Sequence, residues 1–168
     1  MRTKAFKDRV LSLSDRIFPM IARLLGNNSK AEDATQEIMI KLWANRKQIE
    51  NHPNLTGFVF TTARNYCLDI LKKKGPELTS TDHHLSNLEA ATGQEEFEWI
   101  ELKTTVEKIL KQLPEQQREV MLMRDIDGLE FSEIAAATDL KIEHVRVLLS
   151  RARKQVAEVL KKMDDYGH

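Results

Sequence analysis

Apolar residues recur at three- and four-residue steps along most of this chain, and nowhere do they alternate long enough to make a strand. Phe6, Val10, Leu13, Ile17, Ile21, Leu24 and Leu25 form the first series, which a helical period gathers into one stripe. Gly26-Asn27-Asn28 stops it, as glycine commonly does at a helix end. Ser29 and Glu32 have the spacing of a capping box and predict a helix over 30–48. A loop around Glu50-Asn51-His52-Pro53-Asn54 follows, then a helix over 55–74 that ends at Gly75-Pro76. Helical spacing resumes with Trp99, Leu102, Val106, Ile109, Leu110 and Leu113, breaks at Pro114, and continues over 115–124, 130–138 and 142–163. The predicted fold class is all-α.

Charge divides the chain more sharply than hydropathy does. The 168 residues balance 26 Lys+Arg against 26 Asp+Glu. Residues 1–76 nevertheless hold 14 basic and 7 acidic residues, whereas 77–100 hold 6 acids and no base. Within the last part, 141–162 carries 7 basic against 2 acidic residues. Two basic segments flanking an acidic one suggest two contacts with a polyanion, although solvated helix faces give the same arithmetic. Residues 77–94 have little apolar periodicity and read as a flexible acidic linker that lets two bodies move independently. The expected organisation is a helical domain over 1–76, a linker with the start of the next helix over 77–100, and a second helical domain over 101–168. Each domain is near the lower limit for a self-sufficient core, so a partner or the other domain is expected to stabilise it.

Several classes are excluded at once. Cys67 is the single cysteine, so no internal disulfide framework exists. The longest apolar run, Ile17 to Ala22, is six residues, against about 20 for a membrane span. The N-terminus is polar, with no apolar core of a signal peptide, and the expected location is the cytoplasm.

The C-terminal part holds the first constellation. A short helix beginning near Gly128-Leu129-Glu130-Phe131 leads through Thr138-Asp139-Leu140-Lys141 into a longer one. Small Ala135 suits a close helix crossing, and Asp139 tolerates the left-handed backbone of a tight turn better than most residues. Ile134, Leu140, Val145 and Leu149 supply a core between the helices. This is the pattern of a helix-turn-helix, with a plain αα-hairpin as the alternative on spacing alone. The longer helix has an apolar stripe of Ile142, Val145, Leu149, Ala152, Val156 and Val159. Glu143, Val147, Ser150 and Lys154 point the other way, flanked by His144, Arg146, Arg151 and Arg153. A recognition helix needs a buried stripe, base-reading side chains near its N-terminus and cations for phosphates further along. For Arg151–Lys154 taken alone, a solvated basic face is the alternative.

In the N-terminal part, the helix over 30–48 has a core stripe of Ala31, Ala34, Ile38 and Leu42. Its opposite face carries Asp33, Gln36, Glu37, Ile40 and Trp43. Exposed Ile40 and Trp43 among acids mark a protein-binding surface; for Trp43 the alternative is that another helix covers it. The helix over 55–74 buries Val59, Phe60, Ala63, Tyr66, Cys67 and Ile70. Its other face offers Phe58, Thr61, Thr62, Asn65, Asp69 and Lys72, a mixture suited to stacking on and hydrogen bonding to a single nucleic-acid strand.

The run Ala31-Glu32-Asp33-Ala34-Thr35-Gln36-Glu37-Ile38-Met39-Ile40-Lys41-Leu42-Trp43 resembles region 2.2 of the extracytoplasmic-function (ECF) group of the sigma-70 family. Asn54 to Asp69 is similar to that family's regions 2.3 and 2.4, and Leu113-Pro114-Glu115-Gln116-Gln117-Arg118-Glu119-Val120 through Arg153 to its region 4. The resemblance implies a promoter-specificity subunit of bacterial RNA polymerase, not an enzyme, needing no cofactor or metal. Its implied partners are the polymerase core (the β′ clamp helices and the β subunit), promoter DNA and an anti-sigma factor, with no membrane insertion of its own. By position, Asp33, Gln36, Glu37, Ile40 and Trp43 would bind core polymerase. Asn51, His52 and Asn54 in the loop, with Phe58, Arg64 and Asn65, would recognise and help unpair the −10 element, and Lys72 and Lys73 would hold its backbone. Glu143, His144, Arg146, Val147, Ser150, Arg151 and Lys154 would meet the −35 element. The family commonly has Trp where Phe58 stands, Thr for His144, Arg for Leu148 and a Ser or Thr cap for Glu130; these departures bear on the promoter sequence.

No nucleophile-base pair or phosphate loop is legible, and His83-His84 lacks companions at zinc-site spacing. Cys67 reads as core rather than redox sensor. Asp33 and Glu37 lack the second helix of a metal bundle. An ordinary repressor or activator would leave the N-terminal motifs unexplained, and a nucleotide-directed enzyme would lack a catalytic set.

Overall fold

The computed structural model describes residues 1–74 and 94–167, and among these every regular element is a helix. The first half comprises α1 (Thr3–Arg9), a 3-10 turn (Leu11–Leu13), α2 (Ser14–Leu25), α3 (Asn28–Ala44), α4 (Arg46–Ile49) and α5 (Leu55–Lys74). The second comprises α6 (Gln94–Gln112), α7 (Glu115–Met121), a π-helical turn (Leu122–Ile126), α8 (Phe131–Thr138) and α9 (Ile142–Gly167). The expected linker lies outside the described residues, save Gln94, which opens α6. No helix of the described residues is long and apolar enough to cross a membrane.

Local chemistry explains where elements start and stop. Gly26 ends α2 in the left-handed region, φ 70°, a conformation glycine adopts without a Cβ penalty. The cap of α3 is Asn27, whose side-chain oxygen accepts from the Lys30 N–H at 2.9 Å. This corrects the Ser29 box: the chain has already turned at Gly26, so Ser29 falls inside the helix. α3 also stops at Ala44, where the Asn45 side chain donates to the Lys41 carbonyl at 3.0 Å, a local bond that competes with continuing the helix. In the second half, the Glu130 N–H donates to Glu133 Oε1 at 2.7 Å, so an acid three residues on serves the start of α8. Asp139 adopts φ 58° between α8 and α9, as the helix-turn-helix spacing requires.

The two halves are in contact in this conformation. Ile17, Met20, Ile21, Ile38, Val59 and Phe60 from the first half and Met123, Leu129, Ile134, Val145 and Leu149 from the second belong to one continuous apolar cluster. A smaller cluster of Leu110, Leu113, Leu122 and Ala152 ties α6 and the π turn to α9. α8 presents a complementary surface to α5. That contact is close: a Cβ on Gly57 would stand 2.6 Å from Ala136 Cβ. The small residue at the crossing with α5 is therefore Ala136. Among the described residues, three ion pairs also cross between the halves: Arg16–Glu133, Arg23–Asp127 and Arg64–Glu119.

Candidate nucleic-acid interface

The helix α9 turns one side to the core and the other to solvent. Val145, Leu148, Leu149 and Ala152 are buried, whereas Glu143, His144, Arg146, Val147, Ser150, Arg151 and Lys154 are all exposed. Ile142, placed in the apolar stripe by its spacing, is instead 37% exposed, because it lies in the first turn, where the helix has just emerged from the Asp139 corner. Arg146 lies 5.5 Å from the Phe131 ring, a cation–π distance that ties the guanidinium to α8. Arg153 donates Nε–H to Asp125 at 3.1 Å, and that hydrogen bond pushes its pKa up. A cation already paired within the protein is a weaker phosphate ligand than exposed Arg151 or Lys154.

The loop and α5 form the second candidate surface. Asn54 Oδ1 accepts from the Gly57 N–H at 3.0 Å, so its side chain caps α5. The Asn54 N–H in turn donates to His52 Nδ1 at 3.0 Å, and the His52 ring packs 5.1 Å from that of Phe58. His52 and Phe58 are half-buried, while Asn51, Asn54, Asn65, Lys72 and Lys73 are exposed. Arg64 differs from these neighbours. Its Nε–H donates to Glu119 Oε1 on α7 at 2.9 Å, and a second guanidinium nitrogen bonds the same oxygen. One turn earlier, Thr61 Oγ1–H is shared between the Gly57 carbonyl at 2.9 Å and the Ala136 carbonyl at 2.8 Å.

On α3, Asp33, Gln36 and Glu37 are exposed and Ile40 is 60% exposed, an apolar side chain among acids. Trp43 is half-buried: Phe6 of α1 meets it edge-on at 5.0 Å and the Arg46 guanidinium stacks 3.9 Å from its centroid. Another helix thus covers part of Trp43, and the rest of the side chain is open to solvent. A small apolar hollow of about 190 Å³ between α3 and α5 adjoins this face, lined by Asp33, Ala34, Glu37, Tyr66, Ile70 and others. Burial, with Glu37 and Cys67 nearby, pushes the Tyr66 hydroxyl up.

The side chains that sequence reasoning missed lie between the halves. Arg23 and Asp127 are both buried, with Nε 3.0 and 2.9 Å from the two carboxylate oxygens. Burial pushes the Asp127 carboxyl up to about 6 against the opposing pull of the Arg23 guanidinium. Cys67 is buried beside α2, and desolvation pushes its thiol up to about 12. Among the described residues, no group of three or more His, Cys, Asp or Glu side chains could hold a metal ion.

Comparison with known proteins agrees with this arrangement. Residues 10–77 match the family described as Sigma-70 region 2, and residues 103–156 match Sigma-70, region 4. The chain is 25% identical over 170 residues to the ECF RNA polymerase sigma factor SigW of Bacillus subtilis, covering 95% of this chain and 90% of that one. It is 24% identical over 160 residues to the ECF RNA polymerase sigma factor EcfG of Rhodopseudomonas palustris, covering 94% and 86% respectively. The sigma factor RpoE of Bartonella quintana, solved in complex with the anti-sigma factor NepR, superimposes with a TM-score of 0.60 at 25% identity, over 95% of this chain and 98% of that one. On two matched regions in family order, a helix-turn-helix with its polar face free and relatives aligned along nearly their whole length, this chain belongs to the ECF group of the sigma-70 family of RNA polymerase sigma factors.

Proposed function

We propose that this chain directs bacterial RNA polymerase to promoters, with α3 docking on the core enzyme, α5 and its preceding loop reading the −10 element, and α9 reading the −35 element. The observation that carries the reading is the division of α9: four core residues on one side, seven exposed polar, charged or small apolar side chains on the other, leading from the left-handed Asp139 corner. A helix entering the major groove sets its N-terminal residues against base edges. Arg146 can donate two hydrogen bonds to guanine, and Val147 can pack on a thymine methyl. The acids of α3 repel phosphate, so its Ile40 face suits a protein partner rather than DNA. The polymerase's β′ clamp helices are that partner in this reading, and the place of action is the cytoplasm.

An anti-sigma factor is proposed as a further partner. The exposed Ile40 needs cover when polymerase is absent, and the structural relative from Bartonella quintana was solved with such a factor. Run-off transcription with purified core polymerase tests the main reading: promoter-dependent transcripts should appear only when this chain is added. Ile40→Asp should weaken core binding by more than about 1 kcal/mol with helicity unchanged. Core binding left intact by that change would remove α3 from the polymerase contact.

A further inference from the structure

The helices α3 and α5 run side by side in opposite directions. At one end the Lys30 and Lys74 side chains meet. About two turns along α3, Glu37 lies near Tyr66, and Lys41 stands 4.6 Å from the Tyr66 ring. Between these points is the hollow of about 190 Å³. Buried Leu25, from the end of α2, and buried Ala34 form its floor, and half-buried Ile70 and Leu71 of α5 form a wall. These apolar side chains line the space without filling it, and neither the packing of the helices nor any assigned DNA contact uses it.

The two ends of the hollow differ in charge. Lys30 and Lys74 are exposed, and among the described residues neither takes part in an ion pair. Lys30 pushes the Lys74 ammonium down, first through the hydrogen-bonding contact of the two amino groups and then through like charge. Two cations held together without an acid favour an anion that both can reach. Asp33 and Glu37 line the hollow one and two turns further along α3 and repel an anion there. An anionic head therefore has one place, at the lysine end, and the rest of its molecule must lie along the apolar floor. Volume limits that remainder. An apolar cavity of about 150 Å³ holds benzene, so this one admits a single ring or a chain of about six carbons.

We infer that the groove between α3 and α5 binds a small amphipathic acid, with its carboxylate or phosphate between Lys30 and Lys74 and its ring or short alkyl chain on Leu25, Ala34 and Ile70. Tyr66, half-buried at the far end, closes the groove there. The same ligand lies against Asp33 and Glu37, which the promoter reading above gives to polymerase. Ligand and polymerase then compete for one surface, so the site regulates docking. That consequence rests on the promoter reading; the site itself does not.

The test uses the full chain, with sodium benzoate as probe and benzyl alcohol as its neutral counterpart at matched ionic strength. In methyl-resolved NMR, benzoate should shift the Leu25, Ile70 and Leu71 methyls saturably and leave those of Ile109 and Leu110 on α6 in place. Lys30→Gln with Lys74→Gln changes two exposed side chains and leaves the packing alone. It should weaken benzoate binding by about tenfold or more, the loss of a charge-assisted contact, and leave benzyl alcohol binding nearly unchanged. Phenyl phosphate in place of benzoate identifies the head: the tighter of the two is the one the lysines prefer. Equal affinity of the wild-type chain for benzoate and benzyl alcohol overturns the site. So does benzoate binding that survives the double change, or methyl shifts spread over both halves. Competition is read separately. Benzoate at about ten times its Kd should weaken core polymerase binding by about tenfold in the wild type and far less in the double variant. Methyl shifts with core binding unaffected overturn the competition. A wild-type chain that does not bind core polymerase at all overturns the promoter reading and leaves the site standing.

Discussion

The helices α9 and α5 are both assigned to DNA, and they differ in how far the rest of the chain engages them: Asn65, Lys72 and Lys73 of α5 are exposed, but Arg64 beside Asn65 is not free. All seven α9 candidates are exposed, whereas on α5 the Arg64 guanidinium is tied to Glu119 and the Thr61 hydroxyl to Ala136. The difference follows from what backs each surface. The α9 residues stand outward on a helix whose apolar stripe is already satisfied by α7 and α8. The α5 surface contains Gly57 and Thr61, small enough for another helix to approach, and α8 offers Ala136 at the meeting point. Small side chains that leave room for a base also leave room for a helix.

Four measurements would break or sharpen this contrast. The largest effect is chemical. With its thiol raised to about 12, Cys67 should react with a maleimide at pH 8 at least a thousandfold more slowly than an exposed thiol, since only the thiolate attacks. It should stay unreactive in Ala136→Glu, which crowds Gly57, if that change loosens the contact of α8 with α5 without loosening the first half. Rapid labelling there would mean that α5 itself unravels. The same shift makes stability fall as pH rises from about 9 towards 12, because the folded state keeps a proton that the unfolded chain gives up.

Next comes the buried pair. Asp127→Ala leaves Arg23 charged in an apolar setting, which costs about 3–5 kcal/mol relative to a paired site. Urea unfolding should show that loss for the single change, and Arg23→Met with Asp127→Leu should recover most of it. A loss below about 1 kcal/mol would mean that the halves separate readily and Arg23 finds water.

The third effect belongs to α9. Arg146→Ala should cost roughly 1–3 kcal/mol at one base position and relax preference there, measured by binding of the chain to a randomised −35 library. The smallest is Lys154→Ala. It should weaken binding about equally on all sequences and lower the salt slope by about 1, the mark of one phosphate contact. If Lys154 alters base preference and Arg146 does not, the helix enters the groove in another register.

Much of the site was legible because it depends on residues near one another in sequence. The 3.6-residue period located α5 to within its observed bounds, and Asp139 at the turn announced the left-handed corner. The exposed Ile40 among acids followed from its position on α3. Other features resisted for identifiable reasons. Ser29 and Asn27 both carry capping side chains two positions apart, and only the backbone turn at Gly26 chose between them. Trp43 had an exposed face by periodicity, but Phe6 and Arg46 reach it from neighbouring elements.

The sequence by itself determined the all-α class, the order of the main helices, the polar face of α9 and the family to which these motifs belong, since each rests on spacing within a few turns of one chain segment; the breaks at Leu11–Leu13, Ala44 and Leu122–Ile126 it did not. Only the tertiary structure decided that the two halves share a core and that Arg64 meets Glu119. It alone joined Arg23 to Asp127 across 104 positions of sequence. Pairing between distant residues carries no periodic signature. A buried arginine and an exposed one look alike in a sequence, and which becomes which is set by the surface that folding brings against them.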